Sequence, residues 1–188
     1  FTSGTGSGNT PPVITGEDPR SVTMSEDGAP TAFNLTLNAT DANLGDTLTW
    51  SVATPAGYGT ALASGTGLST VVSYTPSANY FGADGFVVQV ADGNGGTDTV
   101  TVNVTVEAVN DLPVADSQNV SIVIDTPRLI TLTGSDIDST TLNYSVVSSP
   151  THGALSGTTP ELTYTPAPGY TGPDSFTFLI NDGVGDSN

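Results

Sequence analysis

Carboxylates are the chemistry this chain has to offer. Asp and Glu number 19 against two cations, Arg20 and Arg128, giving a formal net charge of −17 over 188 residues. There is no Cys, so disulfides, thiolate metal sites and cysteine nucleophiles are excluded. The single histidine, His152, rules out a multi-histidine site; it stands beside Gly153 in turn-like sequence with no nucleophile placed to use it. A phosphate-binding surface needs clustered cations, which two arginines cannot supply. Nucleic acid is therefore not expected as a partner. No apolar run approaches the ~20 residues of a membrane span, so direct membrane insertion is not expected either. The remaining donors are hard oxygens from Asp, Glu and Asn. They suit a divalent cation that brings the counter-charge the chain lacks.

Something must bring those oxygens together, and the sequence shows a repeated unit that can. Tyr74-Thr75-Pro76, Tyr80, Gly82, Asp84 and Phe86 recur as Tyr164-Thr165-Pro166, Tyr170, Gly172, Asp174 and Phe176, all at an offset of 90. Leu48-Thr49-Trp50-Ser51-Val52 matches Leu142-Asn143-Tyr144-Ser145-Val146, and Asn9 through Val13 resembles Asn110 through Val114. Two copies of one module follow, over 9–109 and 110–188, after a flexible Gly/Ser/Thr segment at 1–8. Pro113 suits the joint, because proline stiffens a linker and cannot continue a central strand.

The hydrophobic period is two throughout. Val100, Val102, Val104 and Val106 alternate with Thr101, Asn103 and Thr105, and Phe33, Leu35 and Leu37 alternate with Asn34 and Thr36. Half-buried strands read this way, and many short strands between turn signals indicate a β-sandwich. The first module is expected to hold strands near 20–25, 33–39, 47–53, 59–64, 70–75, 85–91 and 98–107. Trp50 is expected to anchor the core between two sheets, with Tyr144 in the same role in the second copy. The second copy stops soon after Asp182, where the first continues through a whole further strand. The fold class is therefore all-β: two tandem Ig-like Greek-key β-sandwiches, the second lacking its last strand. That deficit reads either as a cut from a longer tandem array or as a place for a strand donated by another chain.

In a seven-strand sandwich, alternate loops share an end. Glu26, Asp27 and Asp84 then fall in loops at the lower end of the first module. Asp136, Asp138 and Asp182 fall in loops at the upper end of the second, with Glu107, Asn110 and Asp111 in the linker. Carboxylates gathered at one joint repel unless a cation joins them. Calcium takes 6–8 oxygen ligands, and Asp-x-Asp and Asn-Asp spacings can wrap one ion; magnesium's octahedral demand suits the loops less well. Asp41, Asn43, Asp92 and Asn9 form a half-site at the upper end of the first module. Asp98 and Asp116 are expected to be ordinary solvated acids.

These residues carry a family resemblance. Glu26-Asp27, the pairs Asp41/Asn43 and Asp136/Asp138, the turns Ala91-Asp92-Gly93 and Asn181-Asp182-Gly183, and the linker Asn110-Asp111-Leu112-Pro113 occur in an order similar to the cadherin-like repeats of bacterial and archaeal surface proteins, including calcium-dependent adhesins. The resemblance implies Ca2+ between successive repeats, rigidifying the array. The implied ligands are Glu26, Asp84, Asn110, Asp111, Asp136, Asp138 and Asp182. Leu112 stands where the animal cadherin linker has a polar residue, which points to one or two ions at the joint. Ile124 replaces the Glu that would precede Asp125.

The expected function is a non-catalytic structural or adhesive module, secreted or on a cell surface. Its partners would be neighbouring repeats of the same or adjacent chains, and a cell-surface protein or glycan. The alternatives are a carbohydrate-binding accessory module, for which Tyr58, Tyr80, Phe81 and Tyr170 are the candidate aromatics, and a strand-exchanging subunit of an extracellular filament. Five Asn-x-Ser/Thr sequons, at Asn34, Asn38, Asn103, Asn119 and Asn143, lie on the polar phase of their strands and would be accessible to glycosylation.

Overall fold

The computed structural model describes residues 8–187, so most of the expected flexible segment at 1–8 lies outside the described residues. The chain divides into two compact units, Phe1–Val109 and Asn110–Asn188.

The first unit is a complete sandwich. Its strands are β1 (Val13–Ile14), β2 (Arg20–Ser25), β3 (Leu35–Thr40), β4 (Thr49–Thr54), β5 (Gly59–Leu62), β6 (Ser69–Pro76), β7 (Gly82–Ala91) and β8 (Thr97–Glu107). One sheet runs β1-β3-β6-β5 and the other β2-β8-β7-β4. β2 pairs parallel with β8, while β7 and β8 pair antiparallel over their whole length. The two-residue alternation predicted this split: Val100, Val102, Val104 and Val106 are buried, and the Thr and Asn residues between them are exposed. The core gathers Leu37, Trp50, Val72, Tyr74, Phe86, Val88 and Val90 with the β8 valines. Trp50 is 2% exposed and donates its indole N–H to the Gly67 carbonyl at 2.9 Å. This meets the usual need of a buried indole for an acceptor.

The second unit repeats the plan in part. It contains β9 (Val114–Ala115), β10 (Arg128–Thr131), β11 (Gly134–Ser135), β12 (Asn143–Ser148), β13 (Gly153–Thr158), β14 (Glu161–Pro166) and β15 (Thr177–Asn181). One sheet is ordered β10-β14-β13, and β12 pairs with β15 alone. Even a register shift is shared, between Val52 and Thr54 in the first unit and between Val146 and Ser148 in the second. Of a β8 counterpart the described residues contain only the start, an antiparallel bridge from Asp186 to Asn181 and the Ser187 N–H on the Ile180 carbonyl at 2.7 Å. The unit's buried cluster shrinks to Ile130, Leu132, Leu162 and Tyr164, with Phe176, Phe178 and Tyr144 only partly covered. All five sequon asparagines are exposed.

Candidate metal centres

Each unit builds the same scaffold of carboxylates and amides at one end. In the first unit the Asn9 side-chain amide donates to Asp92 Oδ2 at 2.7 Å. The Asp92 Oδ1 atom accepts the backbone N–H groups of Asn94 and Gly96 at 2.7 and 2.9 Å. Asn43 accepts the Thr10 N–H through its side-chain oxygen at 2.9 Å, and its own N–H donates to Asp41 Oδ1 at 2.7 Å. The turns that do this are short and follow from the sequence. Gly93 and Gly95 sit at φ of 77° and 100°, a region glycine enters without strain. Gly96 has no room for a Cβ, which would lie 2.2 Å from Asp92 Oδ2 and 2.8 Å from the Pro11 backbone.

The second unit reproduces every one of these links. The Asn110 amide donates to Asp182 Oδ2 at 2.9 Å. The Val184 and Gly185 N–H groups both reach Asp182 Oδ1 at 2.6 Å. The Asp111 N–H donates to Asp138 Oδ2 at 2.6 Å, and the Asp138 N–H donates to Asp136 Oδ1 at 2.7 Å. Asn110, Asp111, Asp136, Asp138 and Asp182, expected to act together, are thus brought into one cluster.

The scaffold leaves some carboxylate oxygens unused. Asp41 Oδ2, Asp46 Oδ2 and Asp136 Oδ2 are buried and accept no hydrogen bond. In the first unit, Asp41, Asp46 and Asp92 each present a carboxylate oxygen within 4.8 Å of the others. No arginine or histidine among the described residues lies within ion-pair distance of these three. Like charges at that separation repel by roughly 3–4 kcal/mol per pair at an effective dielectric of about 20. A buried, unpaired carboxylate oxygen adds its own desolvation cost. A hard divalent cation removes both penalties at once, and the donors are of the kind calcium takes.

Asp46 was not among the residues predicted from sequence. Its N–H bonds the Asn43 carbonyl at 2.9 Å, which folds the loop back so that the acid joins Asp41 and Asp92. The spacing Asp41-x-Asn43-x-x-Asp46 was the available signal. The second unit has no acid at the matching place, where Ser139-Thr140-Thr141 stand. The upper end of the first unit, expected to be only half a site, is where three carboxylate oxygens lie within 4.8 Å of one another.

Glu26 and Asp84 belong to the first unit and have different settings. Glu26 is 9% exposed; its Oε1 accepts the Val109 N–H at 2.7 Å, and its own N–H donates to the Glu107 carbonyl at 3.0 Å. It secures the chain leaving β8. Asp84 accepts four bonds: the N–H groups of Gly57, Tyr58 and Gly85, and the Tyr74 hydroxyl, at 2.7–2.9 Å. A carboxylate has about four lone-pair sites, so its capacity is spent. Asp174 repeats the arrangement with the N–H groups of Thr151, His152 and Ser175 and the Tyr164 hydroxyl. Partial burial acts to raise the Asp84 carboxyl, but the donors from Tyr74 and the three amides outweigh it and hold it below the ordinary range. The same contest holds Asp174 far below that range. Both acids anchor loops. Asp98, expected to be solvated, also has structural work: it accepts the Ile14 N–H at 2.7 Å and so ties β1 down.

Three of the candidate sugar-binding aromatics stack on a neighbouring ring, while Phe81 is exposed. Tyr58 stacks on Tyr80 at 4.5 Å, and His152 stacks on Tyr170 at 4.1 Å in the second unit. The Tyr80 and Tyr170 hydroxyls donate to the Ala83 and Pro173 carbonyls.

The doubled scaffold has a counterpart among known families. A family model for the bacterial Ig domain matches residues 9–105 and again residues 110–188. The chain belongs to this bacterial Ig domain family. Both bacterial Ig domains also share their architecture with cadherin repeats. The protocadherin gamma B2 extracellular cadherin domains 1–5 superpose with a TM-score of 0.51 at 18% identity, over 94% of this chain and 37% of that one. Mouse cadherin-23 EC22–24 gives 0.49 at 18% identity, over 95% and 62%. An endo-fucoidan hydrolase from glycoside hydrolase family 107 gives 0.45 at 21% identity, over 100% of this chain and 28% of that one. The chain thus spans under a third of the hydrolase. At such identities the likeness to the protocadherin speaks for the fold alone. No curated protein sequence matches the chain.

Proposed function

We propose that this chain is a non-catalytic structural or adhesive segment of an extracellular protein, and that its bacterial Ig domains bind calcium through their end loops. The observation that carries this reading is the set of buried, unpartnered carboxylate oxygens on Asp41, Asp46 and Asp136. On Asp41 and Asp136 the other carboxylate oxygen already holds the loop through backbone N–H groups. In the first domain the ligands are Asp41, Asp46 and Asp92, with Asn9 and Asn43 beside them. In the second they are Asp136, Asp138 and Asp182, with Asn110 and Asp111. Glu26 is a further ligand at the lower end of the first domain; Asp84 is left out because its acceptors are filled. Calcium bound where a linker meets a domain orders that linker, and anything that binds only the ordered state stabilises it by mass action.

Calorimetric titration of calcium into the chelator-treated chain, with melting curves in parallel, tests the reading. Saturable binding and a melting temperature that rises with calcium are expected. Equal melting in calcium and in chelator, with no heat of binding at millimolar calcium, would sink it.

A further inference from the structure

Two large rings of the first unit are turned to solvent at neighbouring loops. Tyr58, just before β5, is 56% exposed, and Phe81, just before β7, is 57% exposed. Tyr80 links them: it precedes Phe81 in the chain, and Tyr58 stacks on its ring at 4.5 Å with 5° between the planes. Among the described residues the Tyr58 hydroxyl has no hydrogen-bond partner, whereas that of Tyr80 is spent on the Ala83 carbonyl. The backbone fixes the pair in place. Asp84 accepts the N–H groups of Gly57 and Tyr58 at 2.9 and 2.8 Å. The Tyr58 carbonyl accepts the Ser77 N–H at 2.8 Å, and the Ser77 carbonyl accepts the Tyr80 N–H at 3.1 Å. A surface held this way loses little freedom when a ligand settles on it.

The second unit separates what the fold needs from what it does not. His152 stands at the place of Tyr58 and stacks on Tyr170 at 4.1 Å, so a flat ring against the turn tyrosine belongs to the fold. Thr171 stands at the place of Phe81, and the turn forms all the same. The Tyr170 N–H bonds the Ala167 carbonyl at 3.0 Å, and its hydroxyl bonds the Pro173 carbonyl at 2.8 Å. Phe81 therefore has no task in the turn that threonine cannot do. Two rigid, exposed rings, one with a free hydroxyl, are the makings of a binding surface.

Size and charge say what that surface takes. Two rings beside the exposed Ser77 and Asn79 offer far less than the ~800 Å² a side of a stable protein interface. The net charge of −17 repels polyanions. The ligand is then narrow, uncharged, apolar on a flat face and polar at its edge. A pyranose with every substituent equatorial has this form, with axial C–H bonds on both faces and hydroxyls around the rim. We propose that Tyr58 and Phe81 form a platform for a neutral glycan of all-equatorial sugars, β-linked glucose or N-acetylglucosamine. Sugar faces lie on the rings, and hydroxyls reach the Tyr58 hydroxyl and Asn79. The proposal names a partner for the adhesive reading and rests on it, but uses neither end-loop carboxylate cluster.

Cellohexaose and chitohexaose, titrated separately to millimolar concentration into the full chain in chelator, are the probes, with polygalacturonate as the anionic counterpart. Amide NMR shifts report binding. Expected are saturable shifts with one hexaose or both, centred on Tyr58, Asn79 and Phe81, and none with polygalacturonate. Phe81→Thr, which copies the second unit, should keep the melting temperature and weaken binding at least ~10-fold, as loss of a central aromatic anchor does. Absence of binding by both hexaoses, undiminished binding by Phe81→Thr, or tighter binding of polygalacturonate overturns the proposal. Self-association that Phe81→Thr abolishes, without hexaose shifts, assigns the rings to a second copy, against it. Because binding is read in chelator, its failure leaves the calcium titration untouched, and failure of that titration leaves the sugar test standing.

Discussion

Hydrogen-bond occupancy separates two groups of acids in this protein. Asp84 and Asp174 spend all their acceptors on loop amides and a tyrosine hydroxyl, so they are structural. Asp41, Asp46 and Asp136 each keep a buried oxygen in reserve. Replacing Asp41 or Asp46 with Asn should raise the melting temperature of the calcium-free chain, because a repelling charge is removed. The same change should diminish the rise on adding calcium; paired melting curves check both signs. The loop-holding acids set the acid limit of stability. Burial opposes ionisation of Asp84 and Asp174, but their amide and tyrosine donors win. In Asp92 the Asn9 amide leads, and in Asp182 the Gly185 amide leads. All four therefore have folded values below the unfolded value near 4. Their stabilisation is fully present above about pH 4 and is lost as pH falls through the folded values. Tyr74 works in the opposite sense: burial, then the bond to Asp84, pushes its hydroxyl up, so its contribution fades only as pH climbs above about 10. Melting curves from pH 2 to 7 should show a steep acid limb, shallower in Asp84→Asn.

At the scale of the element, the strands are held by alternation and by a few close approaches. Trp50→Ala removes a core anchor and the indole bond to Gly67, and should cost about 3–5 kcal/mol in denaturant unfolding. Gly59 and Gly153 occupy the same place in the two units. A Cβ on either would come within 2.5–2.7 Å of a tyrosine ring, Tyr74 or Tyr164, and of the next residue's carbonyl. Gly59→Ala and Gly153→Ala should each destabilise their own unit by about 1–3 kcal/mol, an overpacking effect. The strand pattern was legible from sequence because period-two alternation is local. Asp84 was expected in a loop but lies within β7, opposite Val104, and its filled hydrogen bonds were not legible either. They depend on Tyr74 and the amides of Gly57 and Tyr58 arriving from other strands. The i, i+10 recurrence of Tyr74/Asp84 and Tyr164/Asp174 was the one trace of them.

At the scale of the molecule, two units of one design differ in how far their described residues cover the core. The first buries a continuous core from eight strands; the second leaves its aromatic residues half-covered. Hydrogen exchange should find the second unit opening at lower free energy than the first, with its fastest strand amides in β15. Equal protection in the two units would contradict this account.

Composition, spacing and internal repetition were enough to establish an all-β chain of two sandwich modules, the outward phase of the sequons, and the exclusion of cationic and thiol chemistry. These follow from local periodicity and from one pattern occurring twice. Only the tertiary structure decided which carboxylates have oxygens to spare. It drew Asp46 in beside Asp41 and Asp92, and turned Asp84 and Asp98 into anchors. The anchoring depends on donors that come from distant parts of the chain. A carboxylate's role is set by what the fold brings within three ångströms of it, about the length of a hydrogen bond.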